Sequence, residues 1–264
     1  MKIAIFCAFD TPATIEFAKA TVAYLEKKGH ELTVDQRLMD HWLEKVKDFE
    51  AFDADATLSK DCKYLFSIGG DGTLLRSIPF VKDTEIPILG INTGRLGFLT
   101  SLQKESLNEA LDKFFDEKFS LVKRSLLEVE LSPTSAEEIK FGYALNEISI
   151  NRKNTTAMLS IATQIDQEYL TTYWADGLII ATPTGSTGYS LSSGGPILTP
   201  ETKGIVLNPI APHNLNIRPL VVPEKAEIQI SVEGRGEDHL LSLDSRIFTL
   251  ANGTQINIRK APFS

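Results

Sequence analysis

The glycine-rich stretch Gly69–Thr73 points most directly to chemistry, because it has the sequence Gly-Gly-Asp-Gly-Thr and follows an apolar run, Lys63–Ile68. The run predicts a strand, and α/β sheets bind ligands at the carboxyl ends of their strands. Glycines let phosphate oxygens reach backbone N–H groups. An aspartate there would repel phosphate unless it accepts a proton from an attacking hydroxyl or faces a divalent cation. We predict a phosphate site with Asp71 in one of these roles; the alternative is a tight turn with Asp71 as helix N-cap.

A second glycine-rich bend, Gly90–Leu99, follows the next predicted strand, Ile86–Ile91. We expect it beside the first bend, at the same edge of the sheet. Within it, Arg95 would either reach a phosphate or lie solvated in the loop.

Asn146 and Glu147 interrupt the apolar run Ala144–Ile150. Adjacent residues of a strand face opposite ways, so one of these two polar side chains should point inward. A buried amide or carboxylate needs hydrogen-bond partners. A bound base or ribose could supply them, and an internal hydrogen-bonded pair is the alternative.

The longest candidate segment runs from Asp176 to Pro196, where an apolar strand leads into a loop dense in Gly, Ser and Thr. The loop offers hydroxyl and N–H groups to a polar ligand, and Tyr189 offers a ring on which a base can stack. No serine has the glycine spacing of a nucleophile elbow. The chain also lacks the Gly-Lys-Ser/Thr of a Walker P-loop.

Composition and charge narrow the class of protein. The chain has 264 residues, 42% of them apolar, and a net charge of −8. This length predicts two domains, the acidic charge argues against a nucleic-acid partner, and no apolar run is long enough for a membrane span. Cys7 and Cys62 lack metal-like spacing and predict reduced thiols in a cytoplasmic protein. The four histidines show no paired spacing for a metal site.

The predicted elements change character near Phe119. Before it, strand and helix patterns alternate, which predicts a mostly parallel sheet with helices on both faces. Its helices include one capped by Thr11 and closed by Gly29, one over residues 37–52, one from Leu74 to Val81 and one from Leu107 to Phe115. After it, short β-like runs predict an all-β or sandwich-like domain with one short helix, residues 186–193. The predicted strands there are 121–131, 139–150, 157–165, 177–182, 205–210, 219–222, 226–232 and 239–243.

Together these segments resemble the NAD kinase family over nearly the whole chain. The matching motifs are Gly69–Thr73, Asn146-Glu147, Asp176-Gly177, Thr182–Tyr189, Ser193–Pro196 and Arg218–Val221. Phosphofructokinases and lipid kinases carry sequences like the first motif, whereas the Thr-Pro-Thr-Gly-Ser-Thr stretch singles out NAD kinases.

The resemblance implies an α/β domain over residues 1–120, a β-rich NAD-binding domain over 121–247, and a tail, 248–264, that packs back on the first domain. It implies transfer of the γ-phosphoryl group of ATP to the 2′-hydroxyl of the adenosine ribose of NAD, which yields NADP. The implied cofactor is a divalent cation, with Mg²⁺ expected. The implied assembly is a homo-oligomer, a dimer or tetramer, in which a neighbouring subunit contributes to the site.

Roles for individual residues also follow from the resemblance. It makes Asp71 the proton acceptor and places Gly72 against the diphosphate, with Arg76 nearby. Asp244–Arg246 fall where the family often has a polar ligand contact. Gly188 and Ala175 depart from the common pattern, which has Ala and Gly or Ser there. The implied NAD-binding residues are Asn146, Glu147, Asp176, Thr187, Gly188, Tyr189, Ser190, Leu191, Ser192 and Ala211.

Two other functions stay open at this stage. One is a related kinase acting on a lipid or sugar phosphate, although no stretch suggests a membrane-binding face. The other is a nucleotide-binding regulator without turnover, against which the retention of Asp71 argues. Whether NADH or polyphosphate can replace NAD or ATP does not follow from the sequence.

Overall fold

The structure is a computed structural model that describes residues 1–7, 11–41, 49–53, 57–94, 97–100, 102–103, 107–132, 139–153, 157–214 and 216–264. The chain forms two compact units, Met1–Val122 and Lys123–Ser264. The change of character predicted near Phe119 lies close to this division. The finer division at residues 120 and 247 stays a prediction.

The first unit is built on a six-stranded sheet. Its strands are β1 (Lys2–Cys7), β2 (Glu31–Asp35), β3 (Glu50–Phe52), β4 (Cys62–Ile68), β5 (Ile88–Asn92) and β6 (Leu102–Gln103). Their order is β3-β2-β1-β4-β5-β6, and every described pairing is parallel. The predicted parallel sheet is confirmed. The carboxyl ends of β4 and β5, which are neighbours, therefore lie side by side.

The helices of this unit are α1 (Pro12–Lys27), α2 (Gln36–His41), α3 (Asp71–Val81) and α4 (Leu107–Phe115). Thr11 caps α1 as predicted, since its side chain accepts the N–H of Thr14 at 3.3 Å. Beyond the last turn, Gly29 has φ +79°, a conformation that glycine adopts without strain.

Alternate residues of β1 supply two separate cores. Ile3 and Ile5 are buried with Phe17 of α1 and Leu111 of α4. Side chains on the opposite face, such as Phe6, pack instead with α3, where the ring centroids of Phe6 and Phe80 are 5.0 Å apart. This period of two confirms that helices cover both faces of the sheet.

One predicted helix of this unit is wrong in part and another begins elsewhere. Of the helix predicted over residues 37–52, residues 37–41 are helical in α2, Glu50–Phe52 form the edge strand β3, and residues 42–48 lie outside the described part of the chain. Such a short edge strand follows from tertiary pairing with β2 and from burial of Phe52 against Phe80, which local periodicity does not reveal. Helix α3 starts at Asp71 rather than Leu74, because the glycine before Asp71 serves as its N-cap.

The second unit consists of two six-stranded antiparallel sheets. The strands are β7 (Leu127–Ser132), β8 (Tyr143–Ala144), β9 (Glu147–Arg152), β10 (Leu159–Ile165), β11 (Glu168–Ala175), β12 (Gly177–Ala181), β13 (Gly204–Ile210), β14 (Leu220–Pro223), β15 (Ile228–Glu233), β16 (Asp238–Leu243), β17 (Arg246–Ala251) and β18 (Gln255–Lys260). The orders are β11-β10-β15-β18-β7-β8 and β14-β13-β12-β9-β16-β17. Both sheets bury residues in one shared core, which confirms the predicted sandwich. The short predicted helix is α5 (Tyr189–Ser192).

Three strands of the sandwich were not predicted. Strand β11 is largely exposed, and it joins β10 through Asp166 and Gln167, whose φ angles of 52° and 69° suit a two-residue hairpin turn. Strands β17 and β18 come from the end of the chain. Most of residues 248–264 therefore belong to the sheets of the second unit, and their expected return to the first domain stays a prediction.

Candidate active site

The Gly-Gly-Asp-Gly-Thr segment forms the sharp turn between β4 and α3. Gly69 has φ +150°, and a Cβ on it would overlap the side chain of Thr73, so this turn requires glycine. Asp71 is the first residue of α3, and its side chain makes no cap to its own helix. The alternative assignment of Asp71 as a helix N-cap is therefore wrong.

The Asp71 carboxylate is held by the second glycine-rich bend. Its Oδ2 accepts the N–H of Phe98 at 2.7 Å, and its Oδ1 accepts those of Leu99 and Thr100, both at 3.1 Å. The hydroxyl of Thr100 donates the fourth hydrogen bond of the carboxylate, which is the third to Oδ1, at 3.1 Å. A Cβ on Gly97 would overlap this carboxylate, so the close approach requires glycine. The two bends thus meet at one edge of the sheet, as predicted, while Arg95 lies outside the described residues.

A buried asparagine supports this arrangement. Asn92 ends β5 and donates its amide to the Thr100 hydroxyl at 2.9 Å. Its Oδ1 accepts the N–H of Gly94 at 2.7 Å. Both Asn92 and Thr100 are buried, so the hydroxyl that meets Asp71 is fixed in direction. Sequence reasoning did not identify either residue, although an asparagine at a strand end was a visible signal.

The start of α3 suits an anion. The first N–H groups of a helix have no partners within it, and the helix dipole adds partial positive charge there. Side chains built on Gly70 or Gly72 would meet nothing within 4 Å, so the backbone at both positions faces open space. Arg76 lies one turn further along and is exposed. These features belong to the same end of the sheet as Asp71.

In the second unit, Asn146 and Glu147 lie where the chain enters β9. One carboxylate, that of Asp244, accepts the N–H groups of Leu145, Asn146 and Glu147 at 3.0, 2.8 and 3.2 Å. The N–H of Asp244 donates in return to the carbonyl of Glu147 at 3.0 Å. Sequence reasoning left the role of Asp244 open. In the structure, its carboxylate is hydrogen-bonded to the backbone of residues 145–147.

The loop after β12 packs directly against this segment. Thr182 donates its N–H to the carbonyl of Asn146 at 2.9 Å and its hydroxyl to that of Leu145 at 2.6 Å. A Cβ on Gly185 would overlap the Asn146 backbone. A Cβ on Gly188 would lie 3.2 Å from Oε2 of Glu147. The structure thus brings together Asn146, Glu147 and the start of the predicted 187–192 run.

Glu147 is only 9% exposed, as the predicted inward direction requires. Its Oε2 and the Oδ1 of Asn146 are buried without a hydrogen-bond partner among the described residues. The pKa of Glu147 is raised to about 7, mainly by burial and further by the Asp244 carboxylate, while the N–H of Tyr189 opposes the shift. Two buried acceptors without partners indicate a ligand that supplies them.

Most hydroxyls of the 182–196 loop do not face outward. Ser186 donates to the carbonyl of Pro183 at 2.6 Å, and Thr187 donates to that of Thr184 at 3.1 Å. Ser190 is fully buried, and its carbonyl accepts from Asn208 at 2.8 Å. The protons of the Ser186 and Thr187 hydroxyls are thus used within the loop, and the contact of this loop with a ligand stays a prediction. Three side chains of the loop remain open to solvent, since Tyr189 and Leu191 are 41% and 40% exposed and Ser192 is also exposed.

Asp176 and Ala211 lie at the other end of the same sheet. Asp176 pairs with Arg152 at 2.8 Å and donates its N–H to the carbonyl of Ile210. Ala211 follows β13 with φ +45° and is exposed. Because β12 separates Asp176 from Thr182, these two positions lie about 17 Å from the Asn146–Glu147 pair along the strand. Within one chain the structure does not bring them to the other predicted NAD contacts.

In the described part of the chain, no group of three or more His, Cys, Asp or Glu residues is arranged to hold a metal ion. Within the same residues, no helix has the length and apolar character of a membrane span. Cys7 and Cys62 are both buried and unbridged.

Comparison with known proteins identifies the class. The ATP-NAD kinase N-terminal domain model matches residues 3–119, and the ATP-NAD kinase C-terminal domain model matches residues 145–264. Fold and matches define a phosphotransferase with an alcohol group as acceptor. NAD kinases of Christiangramia forsetii and Flavobacterium psychrophilum are 46% and 45% identical to the whole chain, which spans 91% and 90% of their lengths. The chain belongs to the NAD kinase family.

Solved structures agree with this assignment. Yeast NADH kinase complexed with NADH has a TM-score of 0.87 at 26% identity, over 99% of this chain and 80% of that one. An NAD kinase from Archaeoglobus fulgidus in complex with ATP has a TM-score of 0.77 at 27% identity, over 100% and 91%. The fold class expected from the sequence is confirmed.

Proposed function

We propose that this protein transfers the γ-phosphoryl group of ATP to the 2′-hydroxyl of the adenosine ribose of NAD, which yields NADP and ADP. Membership of the NAD kinase family supports the reaction. The observation that carries the mechanism is the oriented carboxylate of Asp71 beside the start of α3.

Asp71 acts as the proton acceptor. Its Oδ1 is occupied by three donors, whereas Oδ2 accepts one, so Oδ2 keeps room for the ribose hydroxyl. As the ribose oxygen bonds to the γ-phosphorus, its proton passes to Oδ2 and the bond from the γ-phosphorus to ADP breaks. A carboxylate that is already held in place increases the reaction rate, because the reacting groups need no further ordering.

ATP is the phosphoryl donor. The N–H groups at the start of α3, with Gly72 among them and Arg76 one turn on, would bind phosphate oxygens. A divalent cation, Mg²⁺ by preference, would accompany ATP. The cation would be held mainly by phosphate oxygens and water. Such a cation would neutralise charge on the transferring group.

The second unit binds NAD. Oδ1 of Asn146 and Oε2 of Glu147 would receive donors from the dinucleotide, because both are buried without partners in the described structure. The exposed ring of Tyr189 offers a stacking face for a base, with Thr187–Ser192 completing the contact. The cytoplasmic location expected from the cysteines stays a prediction.

A second copy of the chain completes this site. Asp176 and Ala211 lie too far from Glu147 to touch the same part of one NAD, so a neighbouring subunit would supply them. Strand β11 offers a contact surface, because Tyr169 and Trp174 are 65% and 55% exposed at the sheet edge. A homo-oligomer, dimer or tetramer, therefore fits the separation of the predicted contacts.

Mixing two variants tests the shared site. Asp71→Asn and Asp176→Ala should each be nearly inactive alone. After the two are unfolded and refolded together, heterodimers regain one intact site, so about a quarter of wild-type NADP formation should return. No recovery, while sedimentation shows mixed oligomers, would mean that each site is built from one chain.

The reaction itself is tested by incubating the purified protein with ATP, Mg²⁺ and NAD, and in parallel with NADH, and by locating the new phosphate by NMR. We expect phosphate on the adenosine 2′-oxygen and loss of activity with a chelator. Phosphorylation of a diacylglycerol or sphingoid base with NAD untouched would instead support a lipid kinase. NAD binding without turnover would support a regulator.

A further inference from the structure

Asp244 accepts hydrogen bonds from three consecutive backbone N–H groups, those of Leu145, Asn146 and Glu147. It occupies the two-residue turn between β16 and β17 with φ +53°, a left-handed conformation that Asp tolerates better than most residues. Its own N–H returns a bond to Glu147, and its carbonyl accepts the hydroxyl of Ser242 at 3.1 Å. The turn between β16 and β17 and the segment 145–147 are thus joined by hydrogen bonds in both directions.

The three N–H groups need this acceptor because the chain changes sheets here. Ala144 ends β8 in one sheet and Glu147 begins β9 in the other, so the residues around the crossing lack the usual partners of a continuous strand. The β9–β16 pairing ends at Ile148 and Leu243, and Asp244 follows directly. An aspartate accepts several hydrogen bonds and donates none when ionised, which suits a row of donors.

The charge of Asp244 also acts on the ligand-facing side chain. The groups around it are the Glu147 carboxylate, the three N–H donors and Arg246, whose guanidinium donates to the carbonyls of Phe141 and Tyr143. Burial and Asp244 together raise the pKa of Glu147 to about 7. Near neutral pH, Glu147 can therefore offer a proton as well as a lone pair to a sugar hydroxyl.

We infer that Asp244 is a positioning residue for NAD, which fixes the backbone from which Asn146 and Glu147 direct their side chains to the ligand. It acts through those two residues and is not a ligand contact. The inference rests on the proposed function only in taking NAD as that ligand.

The test compares Asp244→Asn with Asp238→Asn, a change of the same kind at the far end of β16, where Asp238 pairs with Lys153. Asn keeps the shape and tolerates the φ angle but loses the charge and one acceptor oxygen. We expect the KM for NAD to rise about tenfold and kcat to change less than about threefold. The pH at which the KM for NAD changes should move lower, and amide exchange of residues 145–147 should accelerate. Asp238→Asn should alter none of these.

Wild-type KM, pH profile and amide exchange in Asp244→Asn would overturn the inference, even if its melting temperature falls. Absence of NADP formation by the wild-type protein would instead count against the proposed function, and the exchange comparison would still decide the positioning role. If Asp244→Asn does not fold, amide exchange is measured in the wild-type protein. Slow exchange of all three N–H groups of residues 145–147 supports the anchored backbone, and exchange as fast as in an exposed loop overturns it.

Discussion

Each of the two units contains an aspartate that accepts three consecutive backbone N–H groups, but the two carboxylates have different surroundings. Asp71 accepts those of residues 98–100 and Asp244 those of residues 145–147. Asp71 lies at the carboxyl end of a sheet, and its Oδ2 accepts one hydrogen bond where Oδ1 accepts three. Asp244 faces a second carboxylate, and burial raises its pKa. With the roles proposed above, a row of donors would orient one carboxylate for proton transfer and would make the other a support for neighbouring residues.

The largest effect of a single substitution is expected at Asp71. Asp71→Asn keeps the shape and removes the proton acceptor, so kcat should fall roughly 100- to 10,000-fold while NAD still binds. Asp83→Asn, beyond the end of α3, is the matched control and should leave kcat unchanged. Turnover near the wild-type rate in Asp71→Asn, measured as NADP formed, would rule out the proton-acceptor role.

In the second unit, we expect Glu147 to make the stability of the protein depend on pH. Its pKa is raised in the folded protein, so the folded state binds the proton more tightly than the unfolded chain. Its contribution is present below pH about 4.5 and is lost as the pH rises through about 7, a change of about 3 kcal/mol in the free energy of unfolding.

Glu147→Gln should remove this slope in urea titrations between pH 4.5 and 7. The variant should gain stability relative to wild type at the upper end of that range. Glu201→Gln, at an exposed position, serves as the control and should keep the slope. An unchanged slope in Glu147→Gln would show that Glu147 is not the responsible group.

Gly97→Ala would displace the Asp71 carboxylate without changing the residue itself. The added methyl group would overlap the carboxylate, and a displacement of about 1 Å costs on the order of 100-fold in rate. Gly94→Ala is the matched control, because its Cβ would meet nothing nearer than Asn92 Oδ1 at 3.9 Å. Equal kcat values for the two variants would contradict the close approach.

The smallest effect is expected at Thr100. Thr100→Val removes the hydroxyl bond to Asp71 and keeps the N–H bond, so kcat should fall about 3- to 10-fold. Thr100→Ser restores the hydroxyl and should recover most of the rate. A valine variant as fast as wild type would mean that the backbone donors alone orient Asp71.

The same two aspartates show what the sequence could reveal. Asp71 could be proposed as a site residue from the sequence, because three glycines around an acidic residue after a predicted strand are unusual. All of these residues are neighbours in the sequence. Asp244 was not assigned, because an Asp-Ser pair between two strands is an ordinary turn until the register places it beside Leu145–Glu147. Thr100 was missed for the same reason, since its partner is 29 positions away.

The elements of the fold also differ in whether the local sequence is enough to predict them. Strand β1 and helix α1 follow from apolar periodicity and from the Thr11 cap, all of which are local. Strand β3 was mistaken for helix and β11 was missed, because edge strands owe their conformation to pairing rather than to an apolar pattern. The separation of Asp176 from Glu147 also depended on strand register, which no motif contains.

The position of β18 has a consequence for synthesis on the ribosome. The last strand of the chain lies inside its sheet, between β15 and β7, and pairs with residues made more than a hundred positions earlier. The parallel unit is complete at Val122 and can fold while translation continues. The sheet that contains β18 cannot form completely until Lys260 has left the ribosome. Until then, the backbone N–H and C=O groups of β7 and β15 that pair with β18 have no partner strand.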